Sequence, residues 1–293
     1  MWFSENNFVL VVAQALCIAL AGAGVPAWTQ RFRRSGWALV LPLSIAVVVA
    51  AIAAVPESAD LLTWVALILV PIGGALALGW AMRGGRPALA ALAVPLLIVA
   101  WTMQDEVAGE LAALVLIAGS AITAGRLIAG VAPLDLLKAG VILMAIVDAV
   151  LVFSGNLEHP NDVLVAASPG AGLPQFQSAS FNGAGLGYGD FFAAAVVGAI
   201  FAVERRPQFA LATLMVAVAL AWEQLFLVYD GVLPFTIPPA LVLIAAEAHD
   251  LVRASRRSGG SPRASGAAPP SAARGRSRAR RGEPAAAPAR RAS

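Results

Sequence analysis

The chain is poor in charge. Of its 293 residues only 13% are Asp, Glu, Lys or Arg, while 59% are hydrophobic and the mean hydropathy is +0.80. A soluble domain carries roughly 25% charged residues, so half that content leaves no polar face to hydrate a globule. Cysteine is nearly absent. The one thiol, Cys17, excludes a disulfide framework within the chain, and its place in an apolar run makes it core or lipid-facing filler. There are only two histidines, His159 and His249, and no HExxH. A metal site built from His and Cys is not expected, and neither is a cofactor. No Lys or Arg precedes the first apolar run near Phe8, where a secretory signal carries a basic n-region, so this run reads as a retained first span.

What is present is apolar sequence in blocks of about 20 residues, the length that crosses a bilayer as a helix. Nine spans are expected: 8–28, 36–55, 61–82, 87–103, 111–131, 134–154, 186–203, 209–229 and 232–252. Most connectors are short. The exception, 155–185, contains Pro160, Pro169 and Pro174 and several glycines. The fold class is therefore an all-α polytopic membrane protein. The expected organisation is a five-span bundle over 1–132, a four-span bundle over 133–252 with the 155–185 connector, and a tail over 253–293.

Charge alternates along the connectors. Arg31, Arg33 and Arg34 follow the first span, Glu57 and Asp60 the second, Arg83 and Arg86 the third, and Asp105, Glu106 and Glu110 the fourth. Arg126 and Lys138 flank the fifth turn. The long sixth connector holds Glu158 and Asp162 but no Lys or Arg. Arg205 and Arg206 mark the seventh and Asp230 the eighth. By the positive-inside rule the N-terminus is expected outside and the C-terminus in the cytoplasm. From Arg253 onward there are 11 Arg and one acid, Glu283, diluted in Ala, Ser, Gly and Pro. Such a segment buries no core and is expected to be a disordered, solvated cytoplasmic tail. Anionic lipid headgroups are its expected contact, rather than nucleic acid.

Ionisable groups within spans cost roughly 2.5–3.5 kcal/mol each at mid-helix. Arg126, Lys138 and Glu247 lie near cytoplasmic helix ends, where long side chains snorkel. Glu223 lies about a turn and a half from the outer end of the eighth span and reads as interfacial. Asp148 and Asp190 remain, and Asp is too short to snorkel far. Asp148 is six residues before the end of the sixth expected span, and Asp190 four residues into the seventh. At 1.5 Å per residue both lie about 6–9 Å from the same surface, on antiparallel neighbours. Two facing carboxyls share a proton, the arrangement of the aspartic proteases that serve as the standard example of such a pair. One takes a proton from water and the other polarises a peptide carbonyl.

Asp190 ends a Gly-rich lead-in, Gly183-Ala184-Gly185-Leu186-Gly187-Tyr188-Gly189-Asp190. A dinucleotide loop is excluded because no strand is expected before it and a membrane span follows. Close helix packing by small residues is the plainer alternative, but it leaves the Asp unexplained. Gly187-Tyr188-Gly189-Asp190 resembles the GxGD motif of the presenilin and signal peptide peptidase family. Val147-Asp148 stands at the place of that family's Tyr-Asp, and Pro239-Ala240-Leu241 matches its Pro-Ala-Leu motif. The family has nine spans with these motifs on the sixth, seventh and ninth. Val152–Asn156 and Asp162–Ser168 look like the signal peptide peptidase branch after its first aspartate, and the likeness covers roughly 134–251. Val147 lacks the family's Tyr hydroxyl, Pro238 stands where signal peptide peptidases have Gln, and Val242 where presenilins have Pro. These departures suit a divergent prokaryotic homologue.

The resemblance implies an intramembrane aspartyl protease in the cell membrane. Asp148 and Asp190 are its expected catalytic residues, with Gly187, Tyr188, Gly189, Pro239, Ala240 and Leu241 around the substrate. Its expected partners are membrane-embedded peptides or proteins, including leftover signal peptides. Pro238 and Pro239 are expected to interrupt the ninth span and free carbonyls near Thr236 and Ile237. Three alternatives stand beside this one. A prepilin peptidase shares GxGD but continues with Lys, where this chain has Phe191. A proton-coupled transporter uses intramembrane acids. A protease-dead scaffold keeps the motifs without the activity.

Overall fold

The computed structural model describes residues 5–167, 169–170, 172–229 and 231–259. Ten helices make up most of them: α1 (Glu5–Leu20), α2 (Ser35–Ala54), α3 (Ser58–Ala81), α4 (Pro87–Thr102), α5 (Val107–Val131), α6 (Leu134–Phe153), α7 (Glu158–Ala166), α8 (Tyr188–Val203), α9 (Gln208–Leu227) and α10 (Ile237–Gly259). Five of these, α2, α3, α5, α6 and α9, are long and apolar enough to cross a membrane, and α1, α4 and α8 are apolar but shorter. Between α7 and α8 the chain forms one hairpin, β1 (Ser178–Phe181) and β2 (Ala184–Gly187), paired antiparallel with Ser178 opposite Gly187. The fold is thus helical as expected, with a hairpin added in the long connector.

Exposure separates the helices by role. α2 and α3 present Leu43, Val47, Ile68, Leu69 and Ile72 to the surroundings, a large apolar face that water does not tolerate and lipid does. α8 is the reverse: every residue from Phe191 to Phe201 is buried. It sits centrally because it is built of small residues. A Cβ on Gly125 of α5 would lie 2.7 Å from the Ala195 carbonyl carbon, and one on Gly198 would lie 2.6 Å from Ile18 Cα in α1. Between helices whose surroundings are as apolar as their faces, such close backbone approach is the main source of packing energy. Accordingly α8 packs on α5 and α1, α5 also packs on α3 and α4, and α6 packs chiefly on α2.

Three features of the chain path bear on the expected organisation. Met1–Leu251 is one compact unit, in which α5 packs on α8. The second unit, Val252–Ser293, begins inside the last turns of α10, which stay helical to Gly259, and the Arg-rich tail from 260 onward lies outside the described residues. The expected first span, 8–28, is α-helical only to Leu20; Gly24 then takes a left-handed φ of +83° before a short 3-10 helix at Ala27–Phe32.

The cationic groups near helix ends find partners within the protein. Lys138 bridges Glu204 at 2.5 Å and Glu247 at 2.8 Å, and Arg206 joins Glu204 at 2.7 Å and Glu247 at 2.5 Å, binding α6, the α8–α9 turn and α10 together. Arg126 donates to the Ala23 carbonyl at 2.9 Å and to those of Gly24 and Trp80, with its guanidinium 3.9 Å from the Trp80 ring centroid. Glu223 is buried within the protein, at 8% exposure.

Candidate active site

Asp148 lies one and a half turns before the C-terminal end of α6 and is 7% exposed, facing inward among Met144, Ala145 and Val152 of its own helix, all buried. Asp190 is the third residue of α8 and partly buried. Its place follows from the local sequence. Asn182 and Gly183 have φ of 46° and 84°, the left-handed pair that closes a two-residue hairpin and that Asn-Gly adopts readily. The turn sends β2 back along β1. Tyr188 N–H, at the start of α8, donates to the Gln177 carbonyl at 3.1 Å, so helix and hairpin join without a loop. The Gly187 N–H then donates to Asp190 Oδ2 at 3.1 Å. A carboxylate three residues after the helix start that satisfies the leading N–H is half of a capping box. What sets this one apart is Asp148, near enough for its charge to bear on Asp190.

The two aspartates selected from the sequence thus lie on two helices, α6 and α8, that touch each other. Gly189 places the start of α8 against α6, where a Cβ would lie 3.9 Å from Met144 Cε. The Tyr188 hydroxyl lies 3.1 Å from Ser120 Oγ on α5. Pro239 and Ala240 are buried, Ala240 at 4%, but Leu241 is 41% exposed and turns outward.

The two prolines do something other than expected. α10 starts at Ile237, so Pro238 and Pro239 occupy its first turn, where a missing N–H breaks no helical bond. They begin the helix instead of interrupting it. The carbonyls ahead of them are occupied: Thr236 O accepts from Ala240 N at 3.4 Å, and Phe235 O accepts from Gln14 Nε2 at 3.0 Å.

Two residues around the pair escaped the sequence reading. Thr236, 2% exposed, donates its hydroxyl to Asp148 Oδ2 at 2.6 Å. Gln14 of α1, 0% exposed, donates to the backbone carbonyl of Asp190 at 3.0 Å as well as to Phe235 O. A polar residue amid an apolar span was the available signal for both, but weighing only ionisable groups passed over them. The hairpin too was legible in Asn182-Gly183.

Arranged in this way, the site holds two carboxyl groups, one hydroxyl and several backbone carbonyls within an otherwise apolar bundle. Such a set suits proton transfer to and from a bound neutral molecule. Comparison with known proteins gives no match: no family model, no curated protein and no solved structure is significantly similar to the chain.

Proposed function

We propose that the chain is an intramembrane aspartyl protease of the presenilin and signal peptide peptidase type, cutting transmembrane helices or leftover signal peptides. The observation that carries this reading is that Asp148 and Asp190 stand on two helices that touch at Met144 and Gly189, beside non-helical backbone at 233–236 whose Thr236 donates to Asp148. Irregular backbone at membrane depth is tolerated where it is buried in protein or lines a cavity, and peptide hydrolysis needs such a place because the substrate helix must unwind there. One aspartate takes a proton from the attacking water while the other donates to the substrate carbonyl; after collapse the proton reaches the leaving nitrogen. In this reading the protein crosses the cell membrane several times, with the N-terminus outside and the C-terminus cytoplasmic, and the Arg-rich composition of its tail suits contact with anionic headgroups.

The test is cleavage of a synthetic signal peptide by the detergent-purified protein, followed by mass spectrometry. The wild type cuts within the apolar stretch. Asp148→Asn and Asp190→Asn still insert but lose at least about 100-fold in rate, since an amide cannot exchange the proton. Turnover retained in either variant overturns the mechanism. An inert wild type that takes up protons with a solute, and loses this in Asp148→Asn, points to the transporter instead.

A further inference from the structure

α6 and α8 belong to different packing groups. α6 leans on α2, whereas α8 is enclosed by α1 and α5. α6 and α8 touch each other only over a short stretch, around Met144 and Gly189, so helix packing by itself holds the two aspartates loosely across a seam, and a catalytic pair must be held closely. Polar side chains cross the seam at one level. Gln14 uses both hydrogens of its Nε2, one on the Asp190 carbonyl and one on the Phe235 carbonyl, each at 3.0 Å. The opposite orientation of the amide would face its oxygen to two carbonyl oxygens, so the donors fix which way it points. The next residue, Thr236, donates to Asp148 Oδ2 at 2.6 Å. A continuous path thus runs from the backbone of Asp190 through Gln14 to Phe235, across one peptide unit to Thr236, and on to the carboxyl of Asp148. Gln14, Thr236 and Asp148 are buried, where a matched donor is held firmly, while Gln14 Oε1 has no partner among the described residues.

We propose that Gln14 and Thr236 are positioning residues of the aspartate pair. Gln14 sets the height of Asp190 against the 233–236 segment, and Thr236 sets the rotation of the Asp148 carboxyl. The Thr236 hydroxyl occupies Oδ2 and so fixes which oxygen of Asp148 faces the 233–236 segment. Neither side chain exchanges a proton with substrate. The inference rests on the proteolytic reading above, and the α1 contribution gives the helix farthest from the aspartates in sequence a direct part in the site.

The experiment compares wild type, Thr236→Val, Thr236→Ser and Gln14→Met in the signal-peptide assay, with kcat and KM determined separately. Val keeps the shape of Thr and removes only the hydroxyl; Met keeps the length of Gln and removes both donors. Thr236→Val lowers kcat about 10- to 100-fold, the scale of losing one hydrogen bond to a charged group, with KM unchanged. Thr236→Ser restores most of the rate. Gln14→Met also lowers kcat, and the double variant Gln14→Met/Thr236→Val falls by less than the product of the two, because a brace broken once has little left to lose. If Gln14→Met fails to insert, the Thr236 series decides. Wild-type kcat in Thr236→Val, or no recovery in Thr236→Ser, overturns the inference while an active wild type leaves the protease reading standing. A wild type that cuts nothing overturns both.

Discussion

Replacing Gly198 by Ala acts on the site from two turns away. In α8 the new Cβ would lie 2.6 Å from Ile18 Cα, 2.7 Å from Cys17 O and 2.9 Å from Ile18 O. All three are backbone atoms of α1, so no side chain can rotate clear. Reaching ordinary contact at 3.4 Å from 2.6 Å requires α1 and α8 to separate by about 0.8 Å. Overpacking of this kind costs roughly 1–3 kcal/mol, partly offset by about 1 kcal/mol of helix propensity gained on going from Gly to Ala. The net loss is then about 0–2 kcal/mol, or up to several degrees in Tm at about 2–4 °C per kcal/mol. Function responds more sharply. Gln14 lies one turn from Ile18 on the same face of α1. A shift of about 0.8 Å stretches its 3.0 Å bond to Asp190 O beyond hydrogen-bond reach. The cleavage rate of Gly198→Ala accordingly falls towards that of Gln14→Met. Gly36→Ala is the control, because nothing lies within 4 Å of the Cβ position there, and its rate and Tm stay at wild type. The assay is thermal unfolding in detergent alongside peptide cleavage. A Gly198→Ala protein that cuts at the wild-type rate refutes the coupling between the α1–α8 contact and the aspartates.

Two further outcomes are expected. Gly183→Val forces a β-branched residue into a φ of +84°, at about 1–3 kcal/mol, and should open the hairpin to limited proteolysis between 178 and 187 and slow cleavage; an unchanged digestion pattern and rate would show that the turn does not hold the start of α8. A reporter active only in the cytoplasm, fused after Arg257, should be active, whereas the same reporter inserted at Asn156 should be silent; the reverse pattern inverts the orientation and the class of substrate with it.

The sequence by itself determined the helical character of the chain, because blocks of about 20 apolar residues with so little charge have one stable conformation in lipid, the helix that satisfies its own backbone. It also singled out Asp148 and Asp190, since a short acid in an apolar run is too costly to be incidental. Asn182-Gly183 carried the hairpin in its own dihedral preferences. Other features were set by tertiary structure. Pro238 and Pro239 have the same missing N–H whether they kink a helix or start one, and only the path of 232–236 decides which. Lys138 and Glu247 are 109 residues apart in the chain, so their ion pair depends on α6 meeting α10 and not on any local pattern. The packing of α8 against α1 and α5 rests on which glycine faces which backbone. The brace of Gln14 and Thr236 is the clearest case. Its hydrogen bonds join positions 14, 148, 190, 235 and 236, and a hydrogen bond between residues so far apart has no signature in sequence, because its geometry exists only once the helices have packed.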